Sequence, residues 1–174
     1  MSSELLYTAI VLAVVLERGA EVVVSQRNAA WALARGGVES GRGHYPVMVV
    51  LHAGLLVGCL VEVHLAGRSF EPVLGWTMLA LVVVCQAVRW WCIAVLGKQW
   101  NTRVIVVPHL PLVRGGPYRF LPPPNYLVVV LEGAALPLIH GAWVTALVFT
   151  VANAALLRVR IRVEDRALST AAAA

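Results

Sequence analysis

Long apolar stretches alternate with short polar ones along this chain. The first, residues 5–24, is clean to Leu16 and is then interrupted by Glu17, Arg18 and Glu21. Two uninterrupted stretches follow at 47–66 and 73–96, and a fourth covers 126–157. About 20 apolar residues suffice for a helix to cross the hydrocarbon core of a bilayer. The fourth stretch is too long for one crossing, and Pro137 with His140-Gly141 divides it into a tight hairpin with arms 126–139 and 142–158. The shorter arm crosses only with tilt or local bilayer thinning. The pattern predicts an all-α polytopic membrane protein of five transmembrane helices, forming one domain over residues 1–174. A loop at 97–125 and a short C-terminal helix complete it.

Composition agrees with that picture. Of the 174 residues, 60% are apolar and 13% charged, against about 45–50% and 25% in soluble domains. A soluble enzyme of ordinary composition and a disordered chain are both excluded. The net charge of +5 does not point to nucleic acid, because the basic residues border apolar spans instead of forming a soluble basic face. No basic n-region precedes the first stretch and no small-residue cleavage site follows it, so no cleavable signal peptide is expected. Cys59, Cys85 and Cys92 lie inside apolar stretches without metal-ligand or CxxC spacing, and they read as small core residues with no metal expected.

Eleven of the Lys and Arg residues fall after spans one, three and five, against Arg68 alone on the opposite side. The positive-inside rule then puts the N-terminus outside and the C-terminus in the cytoplasm. Trp76 and Trp143 fall at outer helix ends, and Trp31, Trp90, Trp91 and Trp100 near the inner face, as an aromatic belt requires. The unusual sequence is concentrated on that inner side. Residues 89–126 combine a helix end at Leu96-Gly97, a β-prone run at 102–107 and repeated Pro and Gly, which forbid a long helix. Non-helical backbone beside a membrane is tolerated where it is buried in protein or lines a cavity.

Ionisable residues within spans are expensive and are functional candidates by default. Glu17 and Glu21 share a face of span one beside Arg18, Glu62 lies near the outer end of span two, and Glu132 lies deeper in span four. Arg89, ahead of Trp90-Trp91, points to the inner end of span three, within reach of a substrate or of Glu132. His109 adjoins the Gly116 turn, where a cofactor can touch it, whereas His64 and His140 fall on the outer side. Arg160 and Glu164 are four residues apart and therefore share a helix face.

The strings LGKQWNTRVIVVP (96–108), GGPYRFLPPPNY (115–126) and RVRIRVEDRAL (158–168) occur in that order between the expected spans. Together they resemble the isoprenylcysteine carboxyl methyltransferase family of membrane enzymes over about residues 89–168. The resemblance implies S-adenosylmethionine as methyl donor, held on the cytosolic side by Trp100, Val106, Pro108, His109, Gly116, Tyr118, Arg119, Asn125, Tyr126 and Glu164. Arg160 and Glu164 would act on the reacting oxygen. The first half of the chain looks like the bacterial branch that methylates lipidic phenols and pyrones, which puts His44, His52, Arg89 and Trp90 at the acceptor. One departure stands out. Where the family has Arg-His before Pro-x-Tyr, this chain has Pro122-Pro123.

The implied reaction is methylation of an oxygen on an amphipathic lipid within the bilayer, with an alkylresorcinol or alkylpyrone hydroxyl favoured. Carboxyl methylation of a prenylated cysteine is the alternative, as is a non-catalytic relative whose cofactor site the prolines have degraded.

Overall fold

The computed structural model describes residues 2–108, 110–120 and 123–173. Five helices account for most of them: α1 (Ser3–Leu33), α2 (His44–Ala66), α3 (Pro72–Leu96), α4 (Pro124–Leu138) and α5 (Trp143–Ala173). Of these, α2, α3 and α5 are long and apolar enough to cross a membrane. α1 carries the charges of Glu17, Arg18 and Glu21 at its middle, and the 15 residues of α4 span about 22 Å.

Local chemistry sets the helix limits. The Ser2 hydroxyl accepts from the Leu5 amide at 3.3 Å and caps α1. Gly67 ends α2 with φ +57°, a left-handed conformation suited to glycine. Pro72 opens α3 and Pro124 opens α4, where a missing N–H costs nothing. The start of α5 is capped from another helix. The Glu62 carboxylate on α2 accepts from the Thr145 amide and hydroxyl, each at 2.8 Å, and from the Val144 amide at 3.2 Å. Arg68 closes on the same carboxylate at 2.7 Å. Glu62 is therefore a cap for the positive end of α5.

Two features depart from the expected all-α fold. Val38–Ser40 (β1) pairs antiparallel with Val104–Val106 (β2), with Val38 opposite Val106 and Ser40 opposite Val104. The β-prone run at 102–107 thus finds a strand partner just beyond α1. The separate short C-terminal helix is also absent, because α5 continues without a break from Trp143 to Ala173. α1 likewise runs nine residues past its apolar stretch, to Leu33.

α4 packs between α3 and α5, while α2 lies against α5 and α1 against α2. Tyr7, Val11, Cys59, Val63, Leu136 and Phe149 form the centre of the core. The Tyr7 hydroxyl donates to the Leu136 carbonyl at 3.2 Å, where Pro137 begins to disrupt the end of α4. Gly133 permits the tightest approach, because a Cβ there would run into the ring of Phe149. Gly133→Ala is accordingly expected to destabilise the detergent-solubilised protein by about 1–3 kcal/mol. Denaturant titration followed by tryptophan fluorescence would measure this. Unchanged stability would mean that the ring has room to move.

Candidate functional site

The segment between α3 and α4 is fixed from two sides. Gly97 turns the chain out of α3 with φ +52°, and a short 3₁₀ turn (Gly97–Gln99) delivers Trp100 to a buried position. The extension of α1 holds this turn in place. Asn28 Nδ2 donates to the carbonyls of Trp100 at 2.7 Å and Gly97 at 3.1 Å, and the Ser25 hydroxyl bonds Asn101, Thr102 and the Thr102 amide at 2.7–3.0 Å. These contacts explain why α1 outruns its apolar stretch: its last two turns bury Ser25, Asn28, Ala29 and Ala32 against the loop. On the other side, a second 3₁₀ turn (Gly116–Arg119) packs on α3. Gly116 has φ +56°, and a Cβ there would meet Val95 Cγ2 at 2.7 Å.

Between these supports, the beginning of α4 and the far part of α5 lies a cavity of about 660 Å³, a size suited to a small-molecule ligand. Trp100, Val106, Tyr118, Arg119, Asn125, Tyr126, Arg160 and Glu164 all line it. The structure thus brings together eight of the residues singled out in the sequence. Pro108 and Gly116 do not border it, and His109 lies outside the described residues. Trp31, Lys98, Arg103 and Leu168 also line it. The sequence placed Trp31 only in the aromatic belt near the inner face, because it lies beyond the apolar stretch of α1, on the part of the helix that hydropathy leaves out. Arg35 covers its ring at 4.4 Å.

A polar relay crosses the cavity wall. The Tyr126 hydroxyl donates to the Glu164 carboxylate, and Arg160 Nε donates to the Tyr126 oxygen at 3.1 Å. The same guanidinium lies 2.8 Å from the Met48 sulfur and has no carboxylate partner among the described residues. Burial pushes the Tyr118 phenol above its ordinary value, aided by the neighbouring Cys92 thiol, so this hydroxyl stays neutral at physiological pH. Two buried polar atoms of lining residues, Trp100 Nε1 and Asn125 Oδ1, have no hydrogen-bond partner among the described residues. One can only donate and the other only accept, and buried groups of this kind usually have a partner.

The model of the isoprenylcysteine carboxyl methyltransferase family matches residues 78–170, which include every lining residue of the cavity except Trp31 and Ala32. The chain belongs to this family. Among relatives, it is 37% identical to the uncharacterized protein YpbQ of Bacillus subtilis over 164 residues, covering 94% of this chain and 96% of that one. It is 24% identical to an uncharacterized protein of Haemophilus influenzae over 147 residues, 84% and 85% of the two chains. The membrane methyltransferase family resemblance first drawn from the motifs at 96–126 and 158–168 is therefore established, while these relatives carry no stated substrate.

In this methyltransferase-family chain, the four residues expected at the acceptor do not line the cavity. Arg89 bonds Glu132 on α4, and the side chains are 7% and 8% exposed. Arg89 also lies 3.6 Å from Glu21 on α1. Arg18 joins the cluster, reaching Glu21 at 2.9 Å, Gln86 at 2.8 Å and Glu132 at 3.3 Å. Arg89 and His52 border a small recess beside Glu132. Trp90 donates to Glu17 at 2.5 Å, and His44 stands at the start of α2 near Val163 of α5, where both crowd Gly41. At the departure from the family motif, Pro123 is extended (φ −91°, ψ 119°) and lines the cavity, whereas Pro122 lies outside the described residues.

Proposed function

We propose that this chain is an S-adenosylmethionine-dependent O-methyltransferase acting on a lipidic acceptor within the membrane, with the hydroxyl of an alkylresorcinol or alkylpyrone favoured. The observation that carries this reading is the wall of the 660 Å³ cavity, which holds Trp100 Nε1 and Asn125 Oδ1, without partners among the described residues, together with the Arg160–Tyr126–Glu164 relay. Family members are methyltransferases that use this donor. When bound, S-adenosylmethionine supplies a methyl group made electrophilic by its sulfonium.

The residues present fit such a group. Trp100 and Asn125 offer one donor and one acceptor to its polar ends, and the aromatic faces of Trp100 and Tyr118 suit a cation. Glu164 takes the proton of a phenolic acceptor, and Arg160, which has no carboxylate partner among the described residues, stabilises the oxygen anion that remains. A carboxylate acceptor needs no base and would be oriented by Arg160 alone. That alternative, methylation of a prenylated cysteine, is supported by the same guanidinium, whose charge meets no carboxylate among the described residues. In either case five crossings, with a tilted α4 and a cytoplasmic C-terminus, put the cavity on the basic inner side.

Calorimetry of S-adenosylmethionine binding to the detergent-purified protein tests the reading directly. Binding in the micromolar range is expected, weakened about tenfold by Trp100→Phe, which keeps an aromatic face and removes the donor. Transfer of labelled methyl to alkylresorcinols but not to prenylcysteines would establish the favoured acceptor. No binding to a folded protein would support the non-catalytic relative.

A further inference from the structure

The segment from Leu110 to Phe120 is unusual on its outer side. Leu112 is 61% exposed and Phe120 72% exposed, and the two arginines between them, Arg114 and Arg119, are exposed as well. From Pro72 to Leu131 the chain contains no acidic residue. Exposed apolar side chains flanked only by cations make a poor surface for water and a good one for a boundary between acyl chains and negative headgroups.

Packing fixes the depth of this segment. The Gly116 turn lies against Val95 and the Trp91 indole on the last turns of α3, and Trp90 and Trp91 are themselves 40% and 49% exposed. Indoles at the end of an apolar span lie at headgroup level. A turn held against them lies at the same level and not out in the aqueous phase. The same segment borders the mouth of the cavity, through Leu110, Leu112, Arg114, Tyr118 and Arg119, whose side chains stay partly exposed there.

We propose that the Leu110–Phe120 segment is an interfacial anchor, seated by Leu112 and Phe120 in the acyl boundary and by Arg114 and Arg119 on anionic headgroups, so that one wall of the cavity rests on lipid. The occupant is the host bilayer's own anionic leaflet. Each Lys or Arg near such a surface contributes about 1 kcal/mol, and screening removes that contribution at high salt. The seating does not depend on the methyl-transfer reading, so the two can fail separately.

The three native cysteines are buried, which leaves an introduced cysteine selectively open to a polar label. The full-length protein carrying Leu112→Cys with an environment-sensitive fluorophore would be reconstituted in phosphatidylcholine vesicles, or in equal parts phosphatidylcholine and phosphatidylglycerol. Both would contain lipid spin-labelled near the headgroup. Quenching of the label is expected to rise about twofold or more in the anionic vesicles and to return to the neutral-vesicle level near 1 M salt. Arg114→Gln with Arg119→Gln should remove the difference. A label at Ser169, near the C-terminal end of α5, should show none. Equal quenching in the two vesicle types, or no quenching at Leu112, overturns the proposal. The salt titration needs no further substitution, so poor folding of the arginine variant would not obscure the result.

Discussion

Glu164→Gln is expected to cut methyl transfer about 100-fold or more while changing donor affinity less than about tenfold. The amide preserves the shape of the side chain and can still accept from the Tyr126 hydroxyl, as the carboxylate does now. What it loses is the ability to take a proton from a phenol. The defect should therefore depend on pH in a particular way. An ordinary phenol ionises near pH 10, and once the solvent has removed the proton the base is no longer needed. Activity of the variant should climb towards that of the unaltered protein as pH approaches 10, and the deficit should be greatest near neutrality. Tyr126→Phe should show a smaller loss without this recovery, because it frees Glu164 and Arg160 from each other but leaves the base in place. Initial rates with labelled donor between pH 6 and 10 would measure both. A deficit constant across that range would remove Glu164 from the proton transfer, and a carboxylate acceptor would then lead.

Arg89→Ala is expected to destabilise the protein by about 3–5 kcal/mol, because it leaves the buried carboxylates of Glu132 and Glu21 with Arg18 as their one remaining cation among the described residues. The cluster between α1, α3 and α4 holds three carboxyls (Glu17, Glu21 and Glu132) and two guanidiniums (Arg18 and Arg89). Removing either cation worsens an existing deficit of positive charge. Replacing the matched pair together, as Arg89→Met with Glu132→Met, should cost much less than the sum of the single changes, since a buried ion pair often does little better than apolar side chains of similar volume. Denaturant unfolding in a fixed detergent would provide the cycle. If both single variants matched the unaltered protein, the cluster would have to be hydrated and the burial of these groups irrelevant to stability.

The polar cluster was only partly legible in the sequence, and the reason is geometrical. Glu17, Arg18 and Glu21 announce themselves as charges within an apolar stretch, and Arg89 suggests Glu132 as a partner because both lie inside spans. Gln86 gave no such signal. It matters because α3 presents its side chain to both Glu17 and Arg18, which depends on helix rotation and not on hydropathy. The five helices were readable because each contains an apolar run, three of them long enough to cross a membrane. The break between α4 and α5 followed from Pro137 and His140-Gly141, whereas the caps at Gly67, Pro72 and Pro124 were not read in advance. The extensions of α1 and α5 were not readable, because hydropathy stops where the apolar stretch stops while the helices continue under other forces. In α1 these are the hydrogen bonds from Ser25 and Asn28 to the loop. Within the cavity, the aromatic and charged positions carried by motifs were visible in advance, but Trp31 enters from the extension of α1 and bears no motif, and Leu168 closes the last motif string without having been singled out.

The pairing of Val38–Ser40 with Val104–Val106 has a consequence for how the chain can be divided. The family match begins at residue 78, and a boundary drawn there would look natural. It would nevertheless cut one sheet in two. The fragment beyond it would keep the motif residues but expose the edge of β2 and lose the Asn28 and Ser25 tethers that seat Trp100 and Thr102. Unpaired strand edges recruit other chains, so such a fragment should aggregate sooner than bind ligand. Conversely, the two pieces expressed together have a ready means of finding each other. The unit that carries the site is thus larger than the unit that carries the signature, and the earlier part of the chain is a component of the pocket's construction.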